Sequence, residues 1–179
     1  MHVQAYDFVA RATEDLRQRG QGRMPPGTTV LEIGSLDING SIRPLFAGAS
    51  SYHGVDIVAG PGVDEIADAA TWVPPRQYSV VICAEVLEHA PAWRDILAMM
   101  WQATEPSGRL LMTCATEPRP PHSAIDGLAL RPDEYYANVP VASVVSIVQQ
   151  WRAASWSVDW ARDRGDLYLS ATKSPATCP

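Results

Sequence analysis

Residues 29–33, TVLEI, form a short apolar run interrupted only by the acid Glu32. With Val30, Leu31 and Ile33 in so few positions, the run suits a strand buried on both faces. Such strands belong to parallel sheets covered by helices on either side. The run meets Gly34 at once and then a polar turn that closes on Asn39-Gly40. A buried strand entering a glycine-punctuated turn lets backbone approach a ligand in the crevice beyond the strand ends.

The rest of the chain alternates in the way such a sheet requires. Residues 3–19 fit an amphipathic helix with Val3, Tyr6, Val9, Ala10, Thr13 and Leu16 at helical spacing. Pro25-Pro26-Gly27 breaks the chain before the first strand. In SIRPLF, Pro44 is tolerated only in a first helical turn, so a short or irregular helix is expected. Residues 52–58 read as a second strand ending near Asp56, and residues 63–66 as a short third one. The run YSVVICA, 78–84, is the clearest strand, rich in β-branched residues.

A helix over 92–105 follows, with Trp93, Ile96, Leu97 and Met100 on one face. Pro106-Ser107-Gly108 reads as a turn and RLLMTCA, 109–115, as the fifth strand. The proline-rich piece 116–140 is long enough to suggest a functional loop. A helix over 141–154 and strands over 155–161 and 167–173 complete the chain. The short charged turn RDRGD cannot span a parallel crossover, so the last two strands must form an antiparallel hairpin.

Composition narrows the function classes. A chain of 179 residues with 46% hydrophobic and 19% charged content can bury a core as one domain, with 1–27 as helix and linker. No apolar run approaches the roughly 20 residues of a membrane span, and the amphipathic N-terminus is unlike a secretory signal, which suggests a cytoplasmic protein. The net charge of −6 argues against nucleic acid as partner and favours a small-molecule substrate. Cys83, Cys114 and Cys178 lack metal or disulfide spacing; the first two fall in expected strands. Oligomeric state is left open.

Taken in order, V30-L-E-I-G34 with Asn39-Gly40, V55-D56, A67-D68-A69, V80-V-I-C-A-E-V-L-E-H89 and P106-S-G-R-L-L-M112 resemble the class I S-adenosylmethionine-dependent methyltransferases. The resemblance spans about Val30 to Lys173. It implies an α/β, Rossmann-like, doubly wound, mostly parallel seven-stranded sheet with a C-terminal antiparallel hairpin. It also implies S-adenosyl-L-methionine as cofactor. The turn G34-S-L-D-I-N-G40 departs from the family's Gly-x-Gly-x-Gly, being longer and lacking the middle glycine.

By that resemblance Glu32, Gly34, Ser35 and Gly40 face the methionine and ribose part of the cofactor. Asp56 and Ile57 lie at the ribose, and Asp68 with Ala69 at the adenine. Glu85 faces the methyl group and the substrate. Each acid has a plainer reading, Asp56 as a strand-end cap and Asp68 as a turn cap.

Glu85 and His89 are four apart and could share a helical face. His89 serves packing or catalysis, and a metal pair is rejected for want of a third ligand. In the 116–140 loop, expected on the substrate side, His122 is the general-base candidate or else a solvated loop histidine. Asp126, Tyr135 and Tyr136 are substrate-side candidates, and Tyr6 could close the pocket from the first helix. His53 is expected at the surface. The six tryptophans are expected in packing roles, with Trp72 a candidate to cover the adenine.

The absent Gly-x-Gly-x-x-Gly argues against a nicotinamide oxidoreductase. The expected reaction is methyl transfer to a nucleophile, an oxygen of a small molecule or sugar. A non-catalytic S-adenosylmethionine-binding protein, or an enzyme that methylates nucleic acid or protein with a partner's help, remains an alternative.

Overall fold

The computed structural model describes residues 2–177, so Cys178 and the end of the tail lie outside the described residues. The elements run in the order α1 (Val3–Arg19), β1 (Thr29–Ile33), a 3-10 turn (Arg43–Phe46), β2 (Ser51–Asp56), β3 (Glu65–Ile66) and β4 (Tyr78–Ala84). A second 3-10 turn (Leu87–His89), α2 (Trp93–Ala103), β5 (Thr104–Ala115), α3 (Val141–Val148), β6 (Ala153–Ala161) and β7 (Asp166–Lys173) follow.

The seven strands form one sheet, ordered β3-β2-β1-β4-β5-β7-β6. Strands β1 to β5 pair parallel with one another, whereas β7 runs antiparallel between β5 and β6. This is the mostly parallel, doubly wound architecture with a closing hairpin that the sequence implies.

Residue alternation along the central strands explains why both faces are covered. Val30, Val80, Ile82 and Leu111 point to one side and pack with Val9, Ala12 and Phe46 from α1 and the first 3-10 turn. Leu31, Ile33, Val81, Cys83 and Met112 point to the other and pack with Leu97 and Met100 of α2 and Val144 and Val148 of α3. An unalternating apolar strand thus feeds two cores at once. Cys83 and Cys114 are fully interior thiols.

Several local expectations change. The buried face of α1 is Ala5, Val9, Ala12 and Thr13, while Val3 and Tyr6 are exposed. Pro106-Ser107-Gly108 is not a turn ahead of β5 but an irregularity within it. Tyr78 pairs with Thr104 and Val80 with Arg109, the extra residues being taken up at Ser107, φ +65°. Helix α2 stops at Ala103, where the Thr104 hydroxyl donates to the Met100 carbonyl. Helix α3 ends at Val148, and β6 begins at Ala153.

His53 is not a surface group. Its ring contacts the Tyr78 hydroxyl at 2.7 Å and the Glu65 carboxylate at 3.0 Å, edge-on to Trp72. Trp72 is held in that cluster by donating to Glu65 and does not line the cleft beyond the strand ends. Trp156 and Trp160 are 41% and 40% exposed because β6 is the edge strand of the sheet.

Candidate active site

The carboxyl ends of β1, β2 and β4 open into a cleft of about 1260 Å³. Most drug-sized pockets are smaller, at roughly 300–1000 Å³, so there is room for two reactants. The expected cofactor-side residues Glu32, Gly34, Ser35, Gly40, Asp56 and Ile57 all line it. So do Asp68, Ala69, Glu85, His89, His122 and Asp126.

The turn after β1 explains its glycine. Gly34 has φ +75°, and a side chain there would place Cβ 2.1 Å from a methyl of Val86. The Gly34 and Ser35 amides donate to the Val55 carbonyl, and the Leu36 amide donates to Asp56 Oδ2 at 3.0 Å. The Asp37 amide reaches the Pro61 carbonyl and the Gly40 amide reaches Asp37 Oδ1. This long turn is therefore stitched to itself and to β2, with most of its amides already engaged.

Glu32 is buried and accepts from the Tyr52 hydroxyl at 2.7 Å. Burial pushes its carboxyl up to about 7, against the opposing hydrogen bond from Tyr52. Asp56 is oriented by the Leu36 amide and by Val58, whose amide donates to Oδ1 at 3.1 Å. Each oxygen keeps acceptor capacity toward the cleft. Asp68 caps its own turn through the Ala70 amide at 2.9 Å and is otherwise exposed, beside buried Ala69. Ile57, 69% exposed, offers an apolar surface next to Asp56.

Beyond β4 the chain turns at Glu85, which sits at φ +60°. Its carboxylate meets His2 Nε2 at 2.7 Å and Arg119 at 3.9 Å. Burial opposes its ionisation, but the His2 bond and charge win and hold the carboxyl below its ordinary range. The same bond raises His2, against burial. Arg119 pairs with Asp166 at the start of β7.

The 3-10 turn places Glu88 at 0% exposure, its Oε1 accepting the Ala115 amide at 3.1 Å. Burial first, then the charge of Glu85, pushes its carboxyl up to about 8. His89 beside it is lowered, chiefly by burial. Across from them His122 and Tyr136 pack edge-on against the His89 ring, at 5.1 Å and 5.4 Å between centroids.

The loop is fastened there by backbone bonds from Ala137 to Glu88 and from Val139 to Ala115. Asn138 adds a side-chain bond to the Arg119 carbonyl.

Tyr6 lines a smaller side pocket of about 210 Å³ shared with His2 and Gly40. Tyr135 is exposed and Tyr136 packs behind the histidines, so neither lines the cleft. Three site residues escaped the sequence reading. Glu88 was within the recognised segment, three positions after Glu85. His2 and Arg119 carry no local signal, because only the fold brings them to Glu85.

The family described as "Methyltransferase domain" matches residues 3–159. No curated protein matches the sequence. Among solved structures, a DhpI complex with SAH is 23% identical, with a TM-score of 0.62 over 98% of this chain and 89% of that one. Magnesium protoporphyrin IX methyltransferase (ChlM) from Synechocystis with bound SAH is 18% identical, with a TM-score of 0.59 over 94% and 83%. N-methyltransferase NodS from Bradyrhizobium japonicum, with S-adenosylhomocysteine, is 13% identical, with a TM-score of 0.58 over 93% and 87%. With strand order, cleft and family match in agreement, the chain belongs to the methyltransferase-domain family and is a class I S-adenosylmethionine-dependent methyltransferase.

Proposed function

We propose that the protein methylates an oxygen of a small molecule, a sugar or other hydroxylated metabolite, in the cleft beyond β1, β2 and β4. The observation that carries this reading is the opposition of two walls. Strand-end acids and the β1 turn stand on one side, and the paired rings of His89 and His122 stand on the other.

The residues present fit S-adenosylmethionine. The Asp56 carboxylate, set by the Leu36 amide, suits a pair of ribose hydroxyls, and the Ile57 surface suits the flat base. Gly34 keeps the approach to the methionine end free of side chain, with Glu32 beneath it. Asp68 and Ala69 close the adenine end. Bound there, the cofactor supplies a methyl group on a positive sulfonium, already electrophilic enough for in-line displacement.

The protein's task is then alignment and exclusion of water, which can supply roughly 7–11 kcal/mol. Glu85, fixed by His2 and Arg119, bounds the region between the two walls. His122 stands where it can receive the acceptor's proton, a contribution on the order of 10²–10⁴ in rate. Asp126 and Tyr6 border the acceptor entrance, with Tyr135 and Tyr136 shaping the loop behind.

Charge supports a small acceptor. The only arginine or lysine among the described cleft-lining residues is Arg119, already paired with Asp166. A nucleic-acid groove needs many such cations. No helix among the described residues is long and apolar enough to cross a membrane.

The test is a panel of hydroxylated metabolites with isotopically labelled cofactor, comparing wild type with His122→Ala. Turnover on the accepted compound should fall at least tenfold while affinity for S-adenosylhomocysteine holds. Label appearing only on nitrogen or carbon acceptors, or equal turnover by the variant, would refute the reading.

A further inference from the structure

We infer that Glu88, His89 and His122 form a binding site for a divalent first-row transition ion on the acceptor side of the cleft. One donor atom from each of the three residues lies within 4.8 Å of the others. The spacing of Glu88 and His89 in sequence offers two ligands; the fold supplies the third from a loop more than thirty positions away.

The protonation pattern of the two rings points the same way. His122 Nδ1 lies 3.2 Å from the Pro120 carbonyl. A carbonyl only accepts, so Nδ1 carries the proton and Nε2 presents its lone pair. His89 has the complementary arrangement. Its ring interacts with the backbone of Tyr135, whereas Nδ1 is buried with no partner among the described residues. Ligating imidazoles commonly donate their second N–H to a backbone carbonyl, which fixes ring and tautomer together. Both rings also lean edge-on against Tyr136, which limits their rotation.

Glu88 supplies the second, independent sign. Its side chain is wholly buried; one oxygen is taken by the Ala115 amide, and Oε2 has no partner among the described residues. A buried carboxyl oxygen without a partner is costly, and a cation beside it removes the cost. The Ala137 amide bonds the Glu88 carbonyl, so the loop carrying His122 is anchored to the turn carrying the other two ligands.

Two imidazoles and one carboxylate favour zinc, cobalt, manganese or iron over magnesium or calcium, which prefer all-oxygen shells. Metal–ligand bonds of roughly 2.0–2.2 Å put the donors about 3.3 Å apart in a tetrahedral site. The three donors, within 4.8 Å of one another, draw together to reach that spacing. Three protein ligands leave positions open toward the cleft, which suit an acceptor with two neighbouring oxygens, such as a vicinal diol or hydroxy acid. An oxygen so held gives up its proton to solvent more readily, and His122 then serves as ligand in place of base. The use of the ion rests on the methyl-transfer reading; the ion site itself does not.

Chelator-stripped protein is titrated with Co²⁺ and Zn²⁺, following bound metal by equilibrium dialysis and the visible Co²⁺ spectrum. One equivalent should bind to the wild type. His122→Ala and His89→Ala should each weaken binding by roughly 100-fold, the upper end of what loss of an outer-shell partner alone costs. Each protein is checked with the S-adenosylhomocysteine melting shift, which reports folding and the methyl-transfer reading separately. An intact shift without stoichiometric Co²⁺ or Zn²⁺ binding would overturn the ion site alone. Equal metal affinity in wild type and His122→Ala would overturn it too. Because His122 lies on a surface loop, that variant keeps the test decisive even if His89→Ala fails to fold.

Discussion

Replacing Asp56 separates its work in the fold from its work on the cofactor. In the free protein it accepts the Leu36 amide at 3.0 Å and the Val58 amide at 3.1 Å, both partly exposed. Asp56→Ala should therefore cost only about 1 kcal/mol of stability. Toward the cofactor it would accept two ribose hydroxyls on a charged oxygen pair, each worth about 1.5–3 kcal/mol. The sum, roughly 3–6 kcal/mol, corresponds to two to four decades in Kd.

Ligand at 100 times Kd adds about 2.7 kcal/mol of stability. For a chain of 179 residues that amounts to a Tm rise of roughly 5–11 °C. At the same ligand concentration a hundredfold weaker variant gains about 0.4 kcal/mol, or no more than about 2 °C. Differential scanning fluorimetry with S-adenosylhomocysteine reads this directly. Asp56→Asn keeps an acceptor for the Leu36 amide and should separate turn integrity from ribose binding. A full wild-type shift in both variants would refute the ribose assignment.

Three further outcomes are expected. Gly34→Ala combines a left-handed backbone, about 1–2 kcal/mol, with overpacking against Val86, about 1–3 kcal/mol. Urea unfolding should show a loss of roughly 2–5 kcal/mol, and a loss below about 1 kcal/mol would contradict the close approach. Glu32 titrates near 7 when folded against an ordinary 4.5, so between those values the folded state holds a proton the unfolded chain has lost. Its stability contribution is full below pH 4.5 and declines as pH rises, so wild type minus Glu32→Gln should fall by roughly 3 kcal/mol between pH 4.5 and 7.5; a flat difference refutes it.

For the His2–Glu85 pair the signs differ. Raised His2 stabilises below its ordinary 6.5 and fades as pH climbs through its folded value, and lowered Glu85 stabilises above 4.5 and fades as pH falls. His2→Ala should thus cost more at pH 6 than at pH 9, and an equal cost at both would show that the pair carries no charge.

The layered sheet was legible because its evidence is local. YSVVICA declares a strand by its own side chains, and RDRGD is too short for anything but a hairpin. The place of Glu32, Gly34, Asp56 and Asp68 along the cleft was legible for the same reason, since each stands at or just beyond the end of a readable strand. The polar cluster around Glu85 was not. His2, Glu85, Arg119 and Asp166 meet only after α1, the loop and the hairpin converge, and no spacing in the sequence encodes that meeting. Pro106-Ser107-Gly108 misled for the opposite reason. Its turn chemistry is real, but sheet pairing on either side absorbs it as an irregularity in β5. The exposed Trp156 and Trp160 misled because aromatic residues say nothing about whether their strand lies at a sheet edge.

The reversed direction of β7 decides which of its ends reaches the cleft rim. A parallel strand would deliver its last residue to the cleft rim; β7 delivers its first, Asp166, opposite Ala115. There Asp166 takes hydrogen bonds from Arg119, Arg164 and the Tyr168 hydroxyl, with His2 at 3.6 Å. One carboxylate at the start of β7 therefore ties the segment entering α1 and the loop after β5 to one point. The strands whose carboxyl ends open into the cleft, β1, β2 and β4, all precede that latch in the chain.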